Sequence, residues 1–334
     1  MRTNHRPLSI LIAAALLGAL ALGAIWQAGA ASGSVPRARA ASSYLTGIGN
    51  ENPKMFSDPL YQQLHTKIVR YVVPYDAVVH PYSLYQAVEF IAAAEAAHEQ
   101  LLVAFYHSEY TPTQLPSVAA YQRDVQRFVK MFPHVRQYES WDESNRGNVA
   151  HAFSSPSGVA AAKYYQALIR VCQGCTVIGL DVLDEAQIVK TLRYISEFKR
   201  EISRLETVVP KIWGLHNYSD VNRLEGWRTR DIAKALGGQV WLTETGGLVK
   251  FEPSFPNRHG AGLTRAAKVL KFMFALAGSV PQIKRLYVYD WSGGTSSTRF
   301  DAGLTNVNEQ PRAGYVVVCR QLHAANCGVK IASN

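Results

Sequence analysis

Two glutamates, Glu143 and Glu244, each close an apolar run and are each followed by residues that end a strand. Ser144-Asn145 follows the first and Gly246-Gly247 the second. Two carboxylates facing one another across a sugar-sized gap are what glycoside hydrolysis requires. One protonates the leaving oxygen, and the other attacks the anomeric carbon or activates a water that does so. The two must hold different protonation states at one pH, so their surroundings have to differ. Trp141 and Asp142 precede Glu143; Tyr75, His107, His216, Tyr218 and Trp291 collect at the ends of other apolar runs; and Arg70 lies within one.

The runs that carry these residues are short and rich in β-formers. They are Tyr44–Gly49, Ile68–Tyr75, Leu101–His107, Val135–Glu143, Thr176–Val182, Lys211–Tyr218, Val240–Thr245 and Arg285–Trp291. Between them lie segments with apolar residues three to four apart, as in Tyr121, Val125, Phe128 and Val129. Eight strands alternating with helices predict parallel strands joined by crossovers, closed as a single-domain (β/α)₈ TIM barrel over residues 41–334. An open dinucleotide-binding sheet would need G-x-G-x-x-G after the first strand. Gly47-Ile48-Gly49 lacks the third glycine, and Pro53 follows. In a barrel, catalytic groups stand at the C-terminal ends of strands, where the residues named above fall except Arg70, which lies within its run.

Alternation along the strands assigns faces. Trp141 shares the face of Glu143 and is expected to line the barrel interior or the cleft. Trp213 and Trp241 are expected to point at the helices and pack in the core. Tyr75 and Tyr106 suit sugar platforms. His107 suits either a substrate contact or a cap on its strand, and Asp181 a structural partner for a base.

These motifs resemble glycoside hydrolase clan A, the retaining (β/α)₈ hydrolases, and families 39 and 5 in particular, from about Tyr44 to the C-terminus. Trp141-Asp142-Glu143-Ser144-Asn145 is similar to the clan's W-N-E-P-N, whose Glu is the general acid/base. Trp241-Leu242-Thr243-Glu244-Thr245-Gly246 is similar to the motif carrying the nucleophile, and His216-Asn217-Tyr218 to the H-x-Y beside the catalytic pair. The resemblance implies that Arg70 keeps the nucleophile ionised, helped by the Tyr218 hydroxyl, and that Trp291 floors the subsite of the cleaved sugar. It implies double displacement with retention, and a Glu143 whose surroundings disfavour charge. Asp142 departs from the pattern, because the clan's Asn donates to the sugar 2-hydroxyl and an ionised Asp only accepts. A carbohydrate-binding pseudoenzyme and a cell-wall transglycosylase on the same barrel are the alternatives. The substrate expected is an oligo- or polysaccharide acted on by a monomer, with no cofactor and no metal.

Residues 1–40 read as an export segment. Arg2, His5 and Arg6 precede a 17-residue apolar run, Ile10–Trp26, with small-residue cleavage patterns at Ala28-Gly29-Ala30 and Ala38-Arg39-Ala40. Export with cleavage predicts a secreted protein, and retention predicts a membrane anchor. Cys172, Cys175, Cys319 and Cys327 are an even count in an exported chain, which suggests two disulfides. Of the three pairings, the local one is preferred. The net charge is +10, of which four arginines lie before residue 41. The remaining bases are interleaved with Glu along helices, as solvated faces are, so no nucleic-acid partner is expected. Asn217-Tyr218-Ser219 reads as a glycosylation sequon inside the site, a place where modification is not expected.

Overall fold

The computed structural model describes residues 44–147 and 153–332, so the export segment lies outside the described residues. Its strands are β1 (Leu45–Gly49), β2 (Ile68–Pro74), β3 (Gln100–Tyr106), β4 (Gln137–Glu139), β5 (Thr176–Ile178), β6 (Asp181–Leu183), β7 (Ile212–His216), β8 (Gln239–Thr245), β9 (Lys250–Phe251), β10 (Ile283–Tyr289) and β11 (Phe300–Asp301). Its helices are α1 (Pro59–Gln62), α2 (Pro81–Ala96), α3 (Val118–Met131), α4 (Gly158–Val171), α5 (Ile188–Arg204), α6 (Tyr218–Val221), α7 (Trp227–Leu236), α8 (Ala261–Ser279) and α9 (Ala313–Gln321). Serines open two of the long helices. The Ser117 and Ser157 side chains accept from the amides of Ala120 and Ala160, each at 3.2 Å, satisfying donors that the first helical turn leaves free.

Strands β1 to β5 pair in chain order, β1 also pairs with β10, and β10, β8, β7 and β6 follow, every pairing parallel. β5 and β6 are two halves of one stave. Between them the Gly179 amide donates to Ile212 O (3.0 Å) and the Gly214 amide donates to Leu180 O (2.8 Å), which carries the stave across to β7. The ring of eight staves is the expected (β/α)₈ barrel. β9 and β11 form a small antiparallel ribbon from the loops after β8 and β10.

Apolar burial has two layers. Ile68, Leu102, Ile178, Trp241 and Tyr287 fill the barrel interior. A larger core, with Phe90, Phe105, Tyr121 and Phe128 fully buried, lies between strands and helices. Trp213 packs there against Phe198 of α5, as alternation predicts. Trp241 does not: it is inside the barrel. The pairings of β8 with β7 and β10 both shift register between Trp241 or Leu242 and Glu244 or Thr245. An irregularity of this kind resets the two-residue period, so Trp241 and Glu244, three apart, share the inner face. β4 also departs from expectation. It ends at Glu139, and the chain is already turning at Ser140.

The cysteines are bonded locally, Cys172 to Cys175 and Cys319 to Cys327, with Cα separations of 5.5 and 5.6 Å. Among the described residues no helix is long and apolar enough to cross a membrane.

A cavity of about 480 Å³ beside the starts of β2 and β3 is lined by Tyr61, Thr66 and Glu99. Glu99 accepts from the Tyr61 hydroxyl (2.9 Å) and from Thr66 Oγ1 (2.8 Å). Burial pushes its carboxyl from 4.5 up to about 7. Between those values the folded state binds more protons than the unfolded chain, so this group's contribution to stability is lost as pH rises. Glu99→Gln is therefore expected to gain about 1–3 kcal/mol over the natural protein at pH 8, with the advantage vanishing below about pH 4.5. Urea unfolding across that range checks it; an advantage independent of pH would contradict the assignment.

Candidate active site

Alternation along β2 turns Ile68, Arg70 and Val72 inward, and Arg70 is 1% exposed. A guanidinium offers five donors in a fixed fork. Nε and Nη2 donate to the two oxygens of Glu139 at 3.1 and 3.0 Å, and Nη1 donates to Glu244 Oε2 at 3.1 Å. Nη2 also pairs with Asp142, and it reaches Asp181 Oδ2 at 3.5 Å. Four carboxylates from β4, the turn after it, β6 and β8 thus converge on one cation.

His216 ends β7 and is fully buried. Its Nε2 lies 2.8 Å from Asp181 Oδ2, whose other oxygen accepts from the Thr243 hydroxyl at 2.7 Å. Gly214 makes room here, since a Cβ at that position would overlap Asp181 Oδ1. His216 Nδ1 has no hydrogen-bond partner, but it stands between the two glutamates, 3.4 Å from Glu143 Oε1 and 3.8 Å from Glu244 Oε2. Those oxygens are therefore no more than about 7.2 Å apart, the sum of the two distances. The bound admits the roughly 5–5.5 Å of retaining hydrolysis. Glu244 also accepts from the Tyr218 hydroxyl at 2.9 Å. Glu143 sits in a turn at φ 44°, left-handed for a residue with a side chain, and its Oε2 accepts from Arg146 Nη1 at 2.6 Å.

One guanidinium cannot keep four buried carboxylates ionised. Burial outweighs Arg70 at Glu139 and Asp142 and pushes them up to about 8 and about 7. Burial also works against Glu143 and Asp181, but there the cations win. His216 and Arg146 hold Glu143 below its ordinary range, and His216 and Arg70 do the same for Asp181. Burial disfavours charge on His216 too, yet Asp181 and Glu244 raise it well above an ordinary imidazole, so it is imidazolium. The expectation of a Glu143 in surroundings that disfavour charge is thus corrected. Its neighbours favour the carboxylate, and the acids pushed towards the protonated form are Glu139 and Asp142.

Above this cluster a cleft of about 980 Å³ opens at the C-terminal ends of the strands, with Asp142, Glu143, Tyr218 and Glu244 in its wall. Tyr106 and His107 line it as well, His107 parallel to the Phe153 ring at 5.7 Å. Three expected substrate contacts are elsewhere. Tyr75 is on the outer face of β2, as the period that puts Arg70 inside requires, and it stacks on Trp141. Trp141 is 1% exposed against Tyr164, because the turn after Glu139 breaks the alternation that would have given it the face of Glu143. Trp291 lies beyond the end of β10, packs on Tyr61 and Tyr315, and donates from Nε1 to Asp58 at 3.2 Å. Tyr289, the last residue of β10, lines the cleft instead, and its hydroxyl donates to Glu51 Oε2 at 3.1 Å. Burial and the nearby Glu244 push Glu51 to about 7. Asn217 is fully buried, donates to Thr229 Oγ1 at 3.3 Å and accepts from the Thr245 hydroxyl at 2.6 Å, so the sequon is inaccessible.

Sequence reasoning missed Glu139, Arg146, Glu51 and Tyr289. Alternation back from the strand end would have marked Tyr289, two residues after the inward Tyr287. Glu139 is a fully buried acid at the end of β4, a placement that itself demands a buried cation. Asp142, His216 and Glu244, and separately Glu139, Asp142 and Asp181, bring potential metal-ligand atoms within 4.8 Å of one another. The Arg70 guanidinium already stands among these carboxylates as their counter-cation.

No family model and no curated protein matches the chain. Solved structures with a similar fold include xylanase XynB from Paenibacillus barcinonensis (TM-score 0.61, 10% identity, 83% of this chain and 95% of that one). Xylanase 10B from Thermotoga petrophila, solved with xylobiose, has TM-score 0.59 and 15% identity over 84% of this chain and 94% of that one. A family 39 glycoside hydrolase from Bacteroides cellulosilyticus has TM-score 0.53 and 15% identity over 84% of this chain and 64% of that one. At these identities the likeness is one of fold, and the fold is the one the sequence motifs imply.

Arg70→Met would leave buried carboxylates without their cation. A loss of about 3–5 kcal/mol is expected at pH 7, as for a broken buried ion pair. The loss should shrink by pH 4, where protonated acids need no counter-charge. Denaturant unfolding at both pH values checks this, and an equal loss at each would show that lost packing rather than charge is responsible.

Proposed function

We propose that the protein is a retaining glycoside hydrolase that cleaves O-glycosidic bonds, of β configuration, by double displacement. The observation that carries this reading is the approach of Glu143 and Glu244 to the same nitrogen of His216, with Glu244 held by Arg70 and Tyr218 and Glu143 free of both. Glu244 is the nucleophile. Its Oε2 and Oε1 are fixed by a cation and a hydroxyl, which sets its direction of attack. Glu143 is the acid/base at the other wall.

In the first step Glu244 attacks the anomeric carbon as the bond to the leaving oxygen breaks, and Glu143 gives that oxygen its proton. A glycosyl ester of Glu244 results. In the second step Glu143 takes a proton from water, the water oxygen attacks the same carbon, and Glu244 departs as carboxylate. Asp142 bears on the sugar. With a pKa near 7 it holds a proton in mild acid, and a protonated Asp can donate to a 2-hydroxyl as an amide would. This removes the main support for the pseudoenzyme alternative. The apolar segment at Ile10–Trp26 and the two disulfides support export of the enzyme.

Glu143→Gln and Glu244→Gln are each expected to lower kcat by at least about a thousandfold on aryl glycosides and polysaccharides, with folding intact. Activity retained by both variants on any cleaved substrate would sink the mechanism. The pH profile is a separate test. kcat/KM reports the free protein, in which Glu143 titrates below its ordinary 4.5, so its alkaline limb should lie in the acid range. Arg146→Ala removes a positive charge that favours the carboxylate, so that limb should move to higher pH. An alkaline limb at neutral pH, unmoved by Arg146→Ala, would contradict the assignment of Glu143 as acid.

A further inference from the structure

We infer that the sugar bound on the β8 and β10 side of the cleft carries a negative charge, a carboxylate or a sulfate. This rests on the glycosidase reading. Three arginines line the cleft: Arg146, Arg223 and Arg299. Arg146 is engaged by Glu143. Among the described residues neither Arg223 nor Arg299 forms an ion pair, and each is anchored by neutral groups. Arg223 Nη1 donates to the carbonyl and the hydroxyl of Ser219, both at 2.8 Å, and its guanidinium lies 5.4 Å from the Phe255 ring centroid. Arg299 Nε donates to Glu252 O at 3.2 Å. One nitrogen of each fork is spent on the anchor, and the others are left for a ligand.

The acids of the same cleft are occupied. Arg70 holds Asp142 and Glu244, Ser83 donates to Glu109, and the amides of Ser219 and Asp220 donate to Asp184. Tyr289 donates to Glu51, and the cation that acts on Glu185 is Lys190. Glu225, which feels the charge of Arg223, is bonded to Arg228 at 2.6 Å. Neutral donors orient Glu109 and Asp184 without cancelling charge, and the anion's place is the quadrant of Arg223 and Arg299, which among the described residues form no ion pair. Phe251, Phe255 and Phe300 wall it, and an apolar wall strengthens attraction between an arginine and an anion. A planar fork with free parallel N–H groups matches a carboxylate or sulfate in two-point contact. Beyond residue 40 the chain keeps a net charge of +6, which favours approach of an acidic polymer.

Matched polysaccharides test this: a uronate polymer with its carboxyl-reduced form, and a sulfated polymer with its desulfated form, assayed with the full chain and with Arg223→Gln and Arg299→Gln. The acidic member of one pair is expected to be cleaved with kcat/KM at least about tenfold above its neutral counterpart, and the pair that shows the drop names the group. Each variant should raise KM on that polymer about tenfold and narrow the acidic-to-neutral ratio. Cleavage of neutral and acidic members at equal rates, abolished by Glu244→Gln, would overturn the charge inference and leave the glycosidase reading standing. Cleavage of no glycoside of either kind would overturn both.

Discussion

Arg70 is one positive charge shared by four carboxylates in the middle of a barrel, and most of the site's geometry follows from that sharing. Its bidentate contact with Glu139 fixes the plane of the fork, which aims Nη1 at Glu244 and Nη2 at Asp142. The acids come from separate staves or from the turn after one, so the ion cluster ties β2, β4, β6 and β8 together across the barrel axis. The apolar layer of Ile68, Leu102, Ile178, Trp241 and Tyr287 keeps this network in low dielectric. Low dielectric strengthens the pairs and makes any unmatched charge expensive.

The excess of acid over base decides where protons reside. Arg70 and the His216 imidazolium are the cations at the centre, and they face Glu139, Asp142, Asp181, Glu143 and Glu244. Neutrality is approached only when some of these acids stay protonated. Two of them do so: Glu139, spent on orienting Arg70, and Asp142, in the cleft wall. Asp181 stays ionised because His216 and Thr243 both hold it, and through it His216 keeps Nδ1 directed between the two glutamates. This is a coupled set in which no single acid has an independent titration.

The barrel and the inward set were readable because they rest on periodicity. Eight apolar runs gave eight staves, and the two-residue period along β2 places Arg70 inside and, by the same rule, Tyr75 outside. His216, Tyr218 and Glu244 were readable as strand-end polar groups. The errors cluster where the period breaks. β4 stops at Glu139, so counting back from Glu143 assigned Trp141 the wrong face. A register shift in β8 put Trp241 inside, and the resemblance that put Trp291 at the subsite floor passed over Tyr289, the last residue of β10. Such breaks depend on how neighbouring strands pair, which no local pattern encodes. Glu139 was missed for another reason: an acid within an apolar run is informative only once its cation is identified, and Arg70 is 69 residues away.

Glu143 is where the demands on the network conflict. The proposed reaction needs a proton on it, yet Arg146 and His216 stabilise its carboxylate in the resting protein. Its backbone is in the left-handed region, a cost of about 1–3 kcal/mol that the contacts to Arg146 and His216 must offset. The two partners differ in their freedom. His216 is fully buried and locked by Asp181, whereas Arg146 is an exposed side chain on the cleft wall. A sugar entering between Arg146 and Glu143 would remove the exposed cation and exclude water together, and both changes raise the pKa of the acid. On this reading the resting ion pair keeps Glu143 in the wrong state for acid catalysis until the cleft is filled, so protonation is coupled to occupancy through the one partner that is free to leave.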